Sequence, residues 1–272
     1  MSGEPSSEGA VAELDALRAD LQGEHDDLDG VVAAISEEQW LVATPSPGWT
    51  VADQIGHLTY FDHSAALAIL DRDAFDESLQ VLIAGANENG VDEVTLTSFR
   101  ALSVAEQLNA WRRARAGLLE AAATLTDETR VPWYGPSMGA RSFLSARLME
   151  TWAHGTDVVD ALGMTRPGTE RLRHVAQLGF LTRTWSYLVR GEQVPEGDVR
   201  LELTSPSDQR WTWGPVDAAD VITGPAEEFC LVVTQRRHVE DTSLVTGELG
   251  RHWLVRAQAF AGAPTTGPQP RR

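Results

Sequence analysis

Glu150 and His154 lie four residues apart in a segment with helical periodicity, and His57 lies in an earlier segment of the same kind. Residues at positions i and i+4 share one face of a helix, so this carboxylate and this imidazole point the same way. A third ligand from a neighbouring helix would complete a site of two histidines and one carboxylate. Such a site binds zinc or a similar divalent ion and leaves coordination positions open for chemistry.

Ordinary structural roles stay open on periodicity alone. In the helix predicted over residues 142–162, the apolar stripe runs opposite Glu150 and His154, so both also fit a solvated face with i,i+4 charge pairs. His57 lies at the edge of an apolar stripe and also fits a partly buried histidine. His25, in an acidic run, is interpreted as a surface residue.

Two aspartates are candidates for orienting the histidines. Asp157 follows His154 by one helical turn, and Asp53 precedes His57 by one turn, so each carboxylate could bind a free ring nitrogen. For Asp53 the preferred interpretation is a helix cap, because Thr50 and Asp53 have the spacing of a capping box.

The composition excludes several mechanisms. All 22 basic residues are arginine, so a lysine Schiff base, a pyridoxal aldimine and a P-loop lysine are excluded. With the single cysteine Cys230, neither an internal disulfide nor a multi-cysteine zinc site can form. Cys230 lies in an apolar stretch and is interpreted as a buried small side chain.

The charge balance bears on partners and localisation. A net charge of −18 disfavours binding to nucleic acids and to anionic membranes, and it indicates nothing specific about a substrate. No signal peptide and no bilayer-length apolar stretch is found, so a cytoplasmic protein is expected. The sequence does not indicate an oligomeric state.

The chain changes character near residue 192. Before it, helical periodicity predicts a bundle, with a less regular stretch over residues 73–102. After it, alternation predicts strands at 199–204, 209–213 and 220–223 and helices at 226–237 and 248–260. The fold class is therefore mainly α, a four-helix bundle followed by a smaller α+β domain. The predicted boundaries are a bundle at 10–191, an α+β domain at 192–261, and flexible tails at 1–9 and 262–272.

Two segments resemble one known family. The segment PGWTVADQIGHL (47–58) and the segment ETWAHGTD (150–157) are similar to the two metal-binding segments of the DinB-like, mycothiol-dependent maleylpyruvate isomerases. The resemblance covers roughly residues 10–190. Residues 211–238 look like the smaller C-terminal domain of actinobacterial members, which is related in fold to sterol-carrier proteins.

The resemblance implies a DinB-like bundle in which zinc is held by His57, Glu150 and His154. It also implies an external thiol, mycothiol in an actinobacterial host, whose thiolate would isomerise a small substrate or displace a leaving group from it. Arg236 and Arg237 are candidates for binding substrate carboxylates, as arginines do in the isomerases.

Two other functions remain open at this point. The same three ligands would serve a hydrolase or lyase that uses metal-bound water. A non-catalytic protein could instead bind an apolar ligand in its C-terminal domain and keep a structural metal in the bundle.

Overall fold

The computed structural model describes residues 7–271, with side chains from residue 13 onward apart from that of Asn89. The fold is mainly helical with a smaller α+β part, which confirms the predicted class. Contacts divide the chain into two compact units, one ending at Thr165 and the other beginning at Arg166. Among the described residues, none of the helices is both long enough and apolar enough to cross a bilayer.

The first unit is built around a four-helix bundle. Its elements are α1 (Ser7–Val32), α2 (Glu37–Trp40), α3 (Val51–Leu70), α4 (Arg72–Asn89), α5 (Val91–Arg100), α6 (Val104–Ala122), β1 (Arg130–Trp133), β2 (Gly135–Gly139) and α7 (Ala140–Ala161). Helices α1, α3, α6 and α7 form the bundle, with α3 packed against α6 and α7 and with α1 packed against the same two helices. Leu28, Ile55, Leu58, Trp111 and Val158 meet in its core, at positions that repeat with the helical period along α1 and α3.

Capping boxes begin two of the bundle helices, and the one at Thr50 and Asp53 lies where the sequence predicts it. The Thr50 hydroxyl accepts from the Asp53 backbone N–H at 3.3 Å, and the Asp53 carboxylate accepts from the Thr50 N–H at 2.8 Å. Ser103 and Glu106 make the same reciprocal pair at the start of α6. Because each box satisfies N–H groups that lack helical partners, the first turns of α3 and α6 are well defined.

The stretch 73–102 is helical, so the prediction of a less regular segment is wrong. Asp71 caps α4 by accepting from the Ala74 N–H at 3.0 Å, and the buried side chains of Phe75 and Leu96 anchor α4 and α5. Gly90, with φ of 91°, separates the two helices. Few of the described side chains of either helix are buried, so neither helix has a long apolar stripe.

The second unit combines a three-stranded sheet with short helices. Its elements are α8 (Leu172–Leu181), α9 (Arg183–Leu188), β3 (Val199–Thr204), β4 (Arg210–Trp213), β5 (Asp220–Pro225), α10 (Ala226–Val233), a 3₁₀ turn (Val239–Asp241) and α11 (Glu248–Leu254). The strand order is β4-β3-β5, with β3 antiparallel to β4 and parallel to β5. The strands predicted at 199–204, 209–213 and 220–223 are thereby confirmed, while α10 and α11 end earlier than predicted.

Helix α8 belongs to the second unit, although the bundle was expected to extend to residue 191. A Cβ atom at Gly179 would lie only 2.7 Å from Val233 Cγ2, so α8 and α10 approach closely at this glycine. The segment after residue 261, expected as a flexible tail, is hydrogen-bonded to this unit: the Thr265 N–H donates to Gln258 Oε1 at 3.2 Å.

Candidate metal centre

Helix α7 is enclosed by the bundle along most of its length. Arg147, His154 and Asp157 are buried although they lie on its polar stripe. The alternative interpretation of this stripe as a solvated face is therefore wrong. The reason is that α1, α3 and the β1–β2 hairpin all pack against α7, so both of its stripes are covered.

Two helices bring the three predicted ligands together. His57 on α3 and Glu150 and His154 on α7 each offer a ligand atom within 4.8 Å of the others. Glu150 Oε2 lies 3.1 Å from His154 Nε2 and 3.8 Å from His57 Nε2. The side chains of His57 and Glu150 are 19% and 24% exposed, so the cluster is shielded but reachable from solvent.

His57 and Glu150 hold the protonation states that a metal ion requires. Burial, aided by the neighbouring His154, lowers the pKa of His57 from 6.5 to about 4, so this ring is neutral at pH 7. Burial opposes ionisation of Glu150, but hydrogen bonds to His154 and His57 outweigh it and hold its pKa well below the usual range. Neutral imidazoles and a carboxylate are the forms that bind divalent ions, so the donor set fits zinc.

Gln54 orients His154, and sequence reasoning missed it. The Gln54 amide N–H donates to Thr44 Oγ1 at 2.9 Å, which directs its carbonyl oxygen to His154 Nδ1. With its Nδ1 turned to Gln54, His154 presents Nε2, the atom 3.1 Å from Glu150 Oε2, toward a metal ion held by the cluster. Gln54 precedes His57 by three residues on α3, so a shared helix face was the available signal.

The two aspartates expected behind the histidines have other partners. Asp157 accepts a hydrogen bond from Ser46 Oγ at 3.2 Å, which connects α7 to the loop before α3. Gln54 takes the place predicted for Asp157 beside His154. Asp53 caps α3, the preferred interpretation, and also accepts from Arg100 Nε at 2.7 Å.

A buried polar layer connects α1, α3 and α7 one turn from the ligands. Arg147 donates to Asp62 at 2.8 Å, and both side chains are almost fully buried. His25 Nε2 lies 3.7 Å from Asp62 Oδ2 and is also buried, so its interpretation as a surface residue is wrong. It follows Leu21 by four residues and precedes Leu28 by three, which places it on the core face of α1.

Comparison with known proteins identifies the family. A model of the mycothiol maleylpyruvate isomerase N-terminal domain matches residues 10–159, more than half of the chain and the whole region of the ligands. The chain belongs to this family.

Relatives and solved structures agree with this membership. Two uncharacterized proteins from strains of Mycobacterium tuberculosis are each 46% identical over 250 residues, which cover 92% of this chain and 96% of theirs. A crystal structure of the mycothiol-dependent maleylpyruvate isomerase has a TM-score of 0.57 at 15% identity, covering 86% of this chain and 92% of that one. A histidine-to-alanine mutant has a TM-score of 0.55 at 16% identity, with coverages of 82% and 89%. At these identities the structures confirm the fold.

The second unit has a separate similarity. A family model described as wyosine base formation matches residues 197–246. Arg236 and Arg237 follow α10 there, each donating from Nη1 to a backbone carbonyl at 2.7 Å, and their role toward a substrate stays a prediction. Cys230 is fully buried with a pKa raised well above its usual value by that burial, so it is a core residue and not a nucleophile.

Proposed function

We propose that this protein is a zinc-dependent enzyme that uses an external low-molecular-weight thiol, mycothiol, either to isomerise a small organic substrate or to become attached to it through sulfur as a leaving group departs. The observation that carries the proposal is the cluster of His57, Glu150 and His154, whose ligand atoms lie within 4.8 Å of one another. Membership of a family named for a mycothiol-dependent isomerase supports the choice of thiol.

The residues of the chain have distinct tasks in this mechanism. His57 and His154 would offer imidazole nitrogens to the ion, and Glu150 adds the negative charge that raises affinity for a cation. A divalent ion held there supplies a Lewis acid that lowers the pKa of a thiol. Gln54 keeps His154 in the correct tautomer. Because Cys230 is the single cysteine of the chain and is buried, a reacting thiol must come from outside the chain.

Metal content tests the ligand set. Untagged wild-type protein is expected to contain about one zinc ion per chain by elemental mass spectrometry, and His154→Ala to have lost it. His63→Ala is a matched control, because His63 is an exposed histidine on the same helix as His57. Equal zinc in wild type and His154→Ala, or none in either after incubation with zinc, would contradict the proposed site.

Thiol use is tested on cobalt-substituted protein. Addition of mycothiol is expected to produce a thiolate-to-cobalt charge-transfer band, whereas the oxygen analogue of the thiol produces none. Turnover that needs the metal but no thiol would instead assign the site to a hydrolase or lyase.

A further inference from the structure

Aromatic side chains form a continuous surface beside the metal ligands. We call it the aromatic wall, and it consists of Trp49, Tyr60, Phe61, Trp133 and Tyr134. At its centre, the Phe61 ring centroid lies 4.5 Å from that of His57 and 5.4 Å from that of Tyr134. The Trp49 ring stacks on the ligand ring of His154 at 5.9 Å. Ligands and wall are therefore one site.

Separate elements hold the parts of this wall. Phe61 follows His57 by one turn of α3, so the two rings share a helix face. The hairpin contributes Trp133, and the buried ring of Phe75 on α4 stacks behind it at 5.9 Å with an angle of 9° between the ring planes. The wall is thus supported from behind by the core of the unit.

All the wall residues keep part of their surface exposed. Large aromatic side chains are usually buried in the core of a protein. A contiguous apolar patch that keeps part of its surface exposed is typical of a binding surface. The Trp49 indole N–H donates to Asp92 Oδ2 at 2.7 Å, which fixes the orientation of that ring. The wall is therefore formed before any ligand arrives.

The wall is uncharged at neutral pH. Burial raises the pKa of Tyr60, and it raises that of Tyr134 to about 12, so both phenols stay neutral. The guanidinium of Arg147 lies 5.9 Å from the Trp133 ring, but it is buried and already donates to Asp62. A carboxylate placed on the wall would therefore gain little from Arg147, because Asp62 already neutralises the charge of this guanidinium.

We infer that the aromatic wall binds the substrate, and that this substrate is a neutral molecule with a flat aromatic ring conjugated to its reacting double bond. The inference rests on the proposed function and specifies its substrate class. Because the Phe61 ring packs on His57, a ring stacked on Phe61 holds its conjugated atoms beside the metal ligands. A dicarboxylate would gain little from such a surface, since burying its charges against uncharged rings is unfavourable.

Calorimetric titration of the zinc-loaded full-length protein tests this assignment. Cinnamamide, a neutral ring conjugated to a double bond, is expected to bind the wild type, and maleate to bind more weakly. Phe61→Leu is expected to weaken cinnamamide binding about tenfold, because this variant loses ring stacking and buried apolar area. Tyr134→Leu provides a second variant of the wall. Phe99→Leu is the matched control, because Phe99 is a partly exposed ring that packs on α3 at Gly56, outside the wall.

Equal cinnamamide affinity in wild type and in both wall variants, or tighter binding of maleate, overturns the inference. The inference also fails if Phe61→Leu needs a higher mycothiol concentration for half-saturation while its affinity for cinnamamide is unchanged. The wall would then bind the thiol and not the substrate. Zinc content equal to wild type shows that the ligands are intact. The proposed function fails separately, if no thiolate band forms on cobalt-loaded protein, whatever the result with cinnamamide.

Discussion

Gln54 is expected to control metal affinity although it is not a ligand. Its amide is fixed by Thr44, and its oxygen selects the tautomer of His154 that can bind a metal. Gln54→Leu should lower the affinity for zinc about 10- to 100-fold, which is the usual effect of removing a group that orients a metal ligand. Competition with a chromophoric chelator measures this change.

Two further variants test whether the effect of Gln54 on zinc affinity acts through His154. Gln54→Glu keeps an acceptor oxygen and should restore most of the affinity. Gln107→Leu removes another buried glutamine side chain of the bundle and should leave zinc binding unchanged. If Gln54→Leu binds zinc as wild type does, His154 is oriented by other contacts.

At the residue scale, the sequence indicated which candidate ligands lie together better than it indicated the groups around them. Glu150 and His154 share a helix face by spacing, His57 was the third candidate on an earlier helix, and the structure brings the three side chains together. Spacing also proposed Asp157 as the partner of His154, but that partner is Gln54, one hundred positions away along the chain. Contacts between helices depend on side-chain rotamers and on the packing of both helices, which no local pattern contains.

At the element scale, the buried pair of Arg147 and Asp62 is expected to hold α7 against α3. Asp62→Ala would leave a guanidinium buried without its carboxylate, which costs about 3–5 kcal/mol of unfolding free energy. Asp62→Leu combined with Arg147→Met should recover most of that loss, because apolar side chains tolerate this environment. Urea unfolding of the metal-free protein measures both effects.

An exposed pair in the same unit is the control. Asp127 and Arg141 are hydrogen-bonded at 2.5 Å near the surface, so Asp127→Ala should cost much less unfolding free energy than Asp62→Ala. If Asp62→Ala costs as little unfolding free energy as Asp127→Ala, the buried pair is not needed to hold α7 against α3.

Helix starts were easier to predict than helix content. Thr50 with Asp53 and Ser103 with Glu106 have the local spacing of a capping box, and the structure contains both boxes. Helices α4 and α5 were missed because each buries few side chains and α5 has only a glycine at its N-cap. The β1–β2 hairpin was not predicted, because its strands are too short to show alternation.

At the scale of the whole molecule, the class of each unit followed from periodicity, but the boundary did not. Helix α8 has the same amphipathic pattern as a bundle helix, and its membership in the second unit depends on a close approach at Gly179. The net charge of −18 is equally readable from the sequence, and it predicts self-repulsion that weakens as the pH falls toward the pI of about 4.7.

The buried imidazole of His25 should make the folded state less stable below pH 6.5. Burial lowers its pKa from 6.5 to about 4, with Arg115 and Arg147 acting in the same direction and Asp62 and Asp26 against it. Because the unfolded chain takes up this proton first, stability is full above pH 6.5 and falls as the pH drops toward 4. The loss is about 2 kcal/mol between pH 8 and pH 5. The variant His25→Gln cannot take up that proton. The unfolding free energy of the metal-free wild type minus that of the variant, measured at each pH, is therefore free of the contribution of surface charge. The difference should decline with falling pH, whereas parallel curves would mean that His25 is protonated in the folded state.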